Sequence, residues 1–234
     1  MGGRLELRTG RVHEVVARTP GDAASRIFAA GVAGRRTGPC LWITRRHLPL
    51  LCPHGLRGLL DPGLVILART DAPLDGLWTA EEGLRSGAFG TVVLESDQPL
   101  SLFQSRRLQL AAEAGGALGL FVGPRSGNTA AETRWDCRAL PGDARHRSGL
   151  RVIRFDWRQT KNKRGPVRDW KAVRDEAAGD LHMVAASGGG ACPEERARPG
   201  PPAGDRLGGQ RRLEALLAQH GSAESGADLR HGAG

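Results

Sequence analysis

The sequence predicts an α/β protein with a mostly parallel central sheet flanked by helices and a C-terminal antiparallel extension. Three observations predict it. Short apolar runs alternate with longer segments of helical periodicity between residues 12 and 122. The run Thr91-Val92-Val93-Leu94 has no polar alternation, as expected of a strand buried on both faces of a parallel sheet. After Gly123 the pattern changes to alternating apolar and polar residues, which suits antiparallel strands.

Residues 12–16 read as the first short strand and 22–36 as a helix punctuated by Gly31 and Gly34. Gly38-Pro39 turns the chain into a second strand, 40–44, and 45–60 reads as irregular or partly helical. A third strand follows at 64–68 and a clear helix at 74–86. That helix closes on Arg85-Ser86-Gly87-Ala88, small and glycine residues suited to a helix end. The strand at 91–95 ends in a carboxylate, Glu95. The next helix, 101–114, has a serine at its start, Gly115-Gly116 at its end, and Phe103, Leu110, Ala111 and Ala114 assigned to one face. A fifth strand spans 118–122. Beyond it, 132–138, 151–157 and 181–185 read as the antiparallel strands. Residues 1–186 therefore form one domain. From 187 to 234 glycine, proline, alanine and arginine dominate, the composition of a flexible tail, with one helical island at 210–220 carrying Leu213, Leu216 and Leu217.

The chain has 234 residues and a formal net charge of +9, which favours an acidic partner or nucleic acid. Of its 34 basic residues 31 are arginine, and the lysines are Lys161, Lys163 and Lys171. No apolar run approaches membrane-spanning length, and the first ten residues lack a signal-peptide pattern, so the expected location is cytoplasmic. Cys40, Cys52, Cys137 and Cys192 are far apart with no C-x-x-C, consistent with packed, reduced thiols. His47, Cys52 and His54 have irregular spacing with a proline between them, so no metal site is expected there.

A phosphate-binding loop would lie between the first strand and its helix. The P-loop needs glycines for close backbone approach and a lysine for the β- and γ-phosphates. The chain instead has Ala17-Arg18-Thr19-Pro20-Gly21-Asp22-Ala23-Ala24, and no lysine precedes residue 161. Asp22 places negative charge where phosphate would sit, and Arg18 is the basic side chain at hand. Neither a nucleotide cofactor nor ATP hydrolysis is expected, and the chain does not read as an enzyme.

These residues bring out a resemblance. Gly10-Arg11-Val12-His13-Glu14-Val15 is similar to the strand leading into the P-loop of RecA recombinases. Arg85-Ser86-Gly87-Ala88 with Val92-Val93-Leu94-Glu95-Ser96 resembles the RecA segment that carries the Walker-B acid, and Lys161-Asn162-Lys163 resembles its K-N-K hairpin. Within that superfamily Ser101–Gly116 in the form SLFQSRRLQLAAEAGG, the segment AAETRW at 130–135 and KNKRGP at 161–166 most resemble the ImuA family of bacterial mutagenesis cassettes. The resemblance covers about residues 10–185 and implies a RecA-like core.

Where the chain departs from RecA, function is affected. Gly21 and Asp22 stand in the degenerate loop, Arg46 stands where the catalytic carboxylate is expected, and Glu95 keeps an acid at the Walker-B place. Glu95 itself reads most simply as a solvated or helix-capping strand-end residue. The DNA-binding loop is reduced to 123–128, and no polymerisation helix fits before Gly10. By resemblance, Lys161 and Lys163 with Asn162 and Arg164 form an interface or phosphate contact acting in trans on a RecA protomer. Residues 151–174 hold nine basic and two acidic residues, with Phe155, Trp157 and Trp170 interleaved. Protein interface, solvated sheet edge and single-stranded nucleic-acid platform stay open for this segment.

The resemblance implies a non-catalytic accessory protein of SOS-induced, error-prone translesion synthesis and DNA repair. Its implied partners are RecA, a polymerase-like ImuB-type protein and an error-prone DNA polymerase, with DNA contacted indirectly, no membrane, and the nucleoid as its place during DNA damage. A SulA-like inhibitor of the division GTPase is the alternative within the same superfamily, and a basic single-stranded DNA-binding paralogue is a third reading.

Overall fold

The computed structural model describes residues 5–141, 152–175 and 180–185. The expected tail from 187, with its segment at 210–220, lies outside the described residues. In chain order the elements are β1 (Arg11–Val16), α1 (Ala23–Ala33), β2 (Cys40–Arg45), α2 (Pro53–Leu56), β3 (Val65–Thr70), α3 (Pro73–Arg85), β4 (Thr91–Glu95), α4 (Leu102–Gly115), β5 (Leu118–Gly123), β6 (Thr133–Ala139), β7 (Val152–Asn162), β8 (Asp169–Asp175) and β9 (Asp180–Ala185). The described strands form one mixed sheet in the order β3-β2-β4-β5-β1-β6-β7-β8-β9. Pairing is parallel from β3 through β6 and antiparallel from β6 through β9. The expected mixed α/β class is therefore present, with parallel strands first and an antiparallel extension after them.

Apolar runs make the central strands. Every residue of β4 and β5 is buried, because each strand has a neighbour on both edges and side chains packed on both faces. One core, with Phe28 of α1, Trp42, Val93 and Val122, continues into Trp135, Phe155, Trp157 and Trp170 of the extension. The other holds Leu41, Ile43, Val92 and Phe121 against Ala80 and Leu84 of α3 and Leu108 and Ala111 of α4. Phe28 anchors the first core, with ring centroids 5.2 Å from Trp135 and 4.9 Å from Trp157 in an edge-on contact.

Helix ends follow their local chemistry. Asp22 caps α1 by accepting from the Ser25 amide, and Ser101 and Gln104 form a reciprocal capping box on α4. Gly87, just past α3, has φ +67°, and Gly116 ends α4 at φ +72°, both in the left-handed region. Two sequence expectations are corrected. The buried face of α4 is Ser105, Leu108, Ala111 and Ala112, while Phe103 and Leu110 are exposed. Strand β8 was not expected, because charged residues interrupt 166–175 and its apolar residues, Val167, Trp170, Ala172 and Val173, do not alternate strictly; Trp170 and Ala172 are the buried ones.

Candidate functional site

The expected degenerate nucleotide site lies at the C-terminal ends of the parallel strands, where open α/β sheets place their ligands. Sheet order sets β5 between β1 and β4, so the turn after β1 and the acid ending β4 lie two strands apart at the same end of the sheet. Gly21 makes that turn at φ +77°. Asp22 then turns its carboxylate back onto the first turn of α1. Its Oδ2 accepts from the Ser25 amide at 3.0 Å and from the Ser25 hydroxyl at 2.6 Å. A helix N-terminus attracts anions through its free amides. Here an internal carboxylate is already seated there.

Glu95 is corrected from its expected solvated position. It is buried, and Arg26 of α1 grips it through Nε to Oε1 at 2.5 Å and Nη2 to Oε2 at 2.8 Å. Arg26 Nη2 also donates to the Pro49 carbonyl at 2.8 Å. Bidentate geometry with little solvent makes this a strong ion pair. An acid satisfied in this way has no charge left over for a cation. Arg26 was not singled out from the sequence; its signal was a lone arginine one turn into α1, opposite the acid of β4.

Arg46 stays apart from that pair. It follows β2, lies on the surface and donates from Nε to Asp71 Oδ1 at 2.7 Å. The shared hydrogen bond holds the Asp71 carboxyl below its ordinary range and raises Arg46. His47 faces Asp97 at 3.5 Å. Cys40 is buried in the sheet, where burial pushes its thiol up to about 12, and Cys52 is exposed.

A second polar cluster, not expected from the sequence, lies around Glu14 in the middle of β1. Its side chain is buried, and Oε1 accepts from the Ser126 amide at 2.9 Å while Oε2 accepts from Arg134 Nε at 2.6 Å. Arg134 Nη2 donates to the Gly127 carbonyl at 2.7 Å. The Ser105 hydroxyl accepts from the Ala130 amide at 2.9 Å. Together these groups fix the connection 124–132, the counterpart of the expected short DNA loop, against the sheet.

The Lys161–Arg164 segment closes over the same connection. Lys161 Nζ donates to the Thr129 carbonyl at 2.7 Å and Lys163 Nζ to the Ala130 carbonyl at 2.7 Å. Asn162 accepts from the Arg164 amide at 3.0 Å and donates to the Pro166 carbonyl at 3.1 Å, and Arg164 faces Glu132 at 3.4 Å. Burial, then the neighbouring charges of Lys163 and Arg134, lower the Lys161 pKa. The structure thus brings Lys161 and Lys163 together with the loop, and separates both from the Gly21–Asp22 turn by sequence and by bonding partners. Each ammonium keeps donors beyond the hydrogen bond named here.

The stacking-platform reading of 151–174 is corrected. Phe155, Trp157 and Trp170 are buried in the core, and register pairs Trp157 with Trp170 and with Cys137. Side chains on the opposite face of these strands are charged. Asp156 is held by Lys171 at 2.8 Å and Arg158 at 2.8 Å. Burial opposes its ionisation, but those two hydrogen bonds outweigh it and keep its pKa below the ordinary value. On β6 the Arg138 hydrogen bond lowers Asp136 in the same direction.

Over 91 residues the chain is 35% identical to the cell division inhibitor SulA of Edwardsiella piscicida, a stretch covering 39% of this chain and 53% of that protein. The chain thus spans about half the length of that curated relative. No family model matches it.

Proposed function

We propose that this chain is a non-catalytic protein with a RecA-like core that acts in the SOS response to DNA damage by binding other proteins. The observation that carries the reading is a pair of internal contacts: Asp22 seated on the α1 N-terminus, with Arg26 locked on Glu95. A P-loop enzyme needs those amides for phosphate and that acid for magnesium. With the Ser25 amide and Glu95 engaged internally and no loop lysine, the core serves as a scaffold. The stretch similar to SulA supports a damage-response setting.

Within that setting the chain acts as an ImuA-type accessory protein of error-prone translesion synthesis. Its partners are RecA, a polymerase-like ImuB-type protein and an error-prone polymerase, and it reaches DNA through them. Lys161 and Lys163 contribute to the RecA-facing interface, where their remaining ammonium protons stay available beside Arg164. A second reading, SulA-like inhibition of cell division, is favoured by the 91-residue similarity.

Affinity capture of the tagged full chain from damaged and undamaged cells, read by mass spectrometry, tests both. Damage-dependent recovery of RecA and the polymerase-like protein, reduced for Lys161→Ala/Lys163→Ala, is the expected result. Recovery of the division GTPase instead, with filamentous growth when the chain is overproduced in undamaged cells, would establish the second reading and overturn the first.

A further inference from the structure

Alternation along β2 sends Leu41, Ile43 and then Arg45 toward the α3/α4 core, so a guanidinium follows two aliphatic side chains under the same helices. Arg45 Nε and Nη1 are buried and donate to nothing among the described residues; the buried Thr70 hydroxyl beside them is also without a partner. Both side chains line a cavity of about 30 Å³ at the C-terminal ends of β2, β3 and β4. The first turn of α3 lines it too, and that helix starts at Pro73 with Ala72 as a cap that has no side-chain hydrogen bond. Asp71 is committed to Arg46, Glu95 to Arg26, and Glu81 to Arg85 and Arg107, while Asp97 faces His47 through Oδ2 and keeps a buried Oδ1 unpaired among the described residues. The Arg45 and Thr70 donors therefore face this cavity unpaired, although Glu95, held by Arg26, and Gln104 also line it, and buried donors left in that state are costly.

Leu77 and Gln104 line both this cavity and a groove of about 440 Å³ between α3 and α4. Leu74 and Trp78 line the groove at 70% and 63% exposure, and Phe103, 70% exposed, lies close by under the Arg107 guanidinium. Large apolar side chains exposed together and rimmed by charge mark an interaction surface.

We propose that the groove and its end cavity form a docking site for a protein segment that carries an aspartate or glutamate side chain next to large apolar ones. The apolar side chains lie between α3 and α4 against Trp78. The carboxylate enters the cavity, whose volume matches two water-sized atoms, and accepts from Arg45 and Thr70. Charge complementarity selects this occupant, since a half-buried guanidinium with two buried, unpaired nitrogens asks for an anion and the groove asks for an apolar one. The site lies on the α3/α4 side of the sheet, apart from the Lys161–Arg164 interface, and does not depend on the partner identities proposed above.

The test is selection of a displayed random-peptide library on the full chain, followed by titration of the selected peptides, synthesised with both termini blocked. Enriched peptides should carry Asp or Glu beside Leu, Phe or Trp. Replacing that acid by its amide should weaken binding to the unaltered protein about tenfold, in line with a charge-assisted hydrogen bond, and leave binding to Arg45→Gln unchanged. Trp78→Ser, a surface substitution that leaves the cavity intact, should weaken acid and amide peptides alike. No enrichment, enrichment without acids, or an equal loss on both proteins would overturn the proposal. So would 4-phenylbutyrate binding in an Arg45-dependent way when no peptide is enriched, because the site would then take small acids.

Discussion

At the residue scale, two buried ion pairs organise the chain, one where a nucleotide site was sought and one beneath the connection 124–132. Neither Arg26–Glu95 nor Glu14–Arg134 was legible in the sequence, since the partners are 69 and 120 residues apart and no periodicity links them. Removing one member of such a pair strands the other charge away from water. Glu14→Ala is expected to cost about 3–5 kcal/mol in urea unfolding, whereas removing exposed Arg46 is expected to leave the unfolding midpoint nearly unchanged. Equal losses would show that the Glu14 cluster is solvated. His13 gives a pH signature. Its Nδ1 takes a hydrogen bond from Thr133 Oγ1 at 2.8 Å, its Nε2 donates to the Arg8 carbonyl at 3.1 Å, and burial lowers its pKa from 6.5 to about 4. The folded state therefore resists protonation more than the unfolded state does. This contribution to stability is complete above pH 6.5 and is lost as pH falls from 6.5 toward 4. Over that window His13→Gln should show a flatter stability curve than the unaltered protein. The same slope in both would contradict a buried neutral imidazole.

Among the elements, the sequence reading succeeded where burial dominates and failed where shape does. Strands β2, β4 and β5 were legible because their apolar runs are continuous, and β1 was legible from Val12 with Val15-Val16 despite its interrupting polar pair. Helices α1, α3 and α4 were legible because glycine, proline or capping residues bound them. The buried face of α4 was not legible. Of its large apolar residues Leu108 is buried while Leu102, Phe103 and Leu110 are exposed, because the close crossing with α3 otherwise accepts small ones, and a Cβ on Gly115 would lie 2.0 Å from the Leu84 carbonyl oxygen. Gly34 at the end of α1 is as tightly placed, since a Cβ there would lie 1.7 Å from the Leu59 carbonyl oxygen. Gly34→Ala must shift backbone and is expected to cost about 1–3 kcal/mol, read as a lower melting temperature. An unchanged melting temperature would mean that the 59–60 segment moves aside freely.

For the molecule as a whole, Lys161 and Lys163 link the antiparallel extension to the connection 124–132 and thereby to β1. Their position was legible as a motif, whereas their carbonyl partners were not, because main-chain acceptors leave no trace in sequence. Lys161→Arg/Lys163→Arg keeps the charge but not the compact ammonium that fits these carbonyls, so partner binding is expected to fall with it. Contacts to phosphate would instead survive that exchange and weaken steeply with salt. The central claim, that the turn after β1 and the acid of β4 are closed to nucleotide by their own side-chain contacts, is tested most directly by calorimetric titration of the full chain with magnesium-ATP. No saturable binding is expected up to millimolar nucleotide. Saturable micromolar binding that Glu95→Gln abolishes would contradict it.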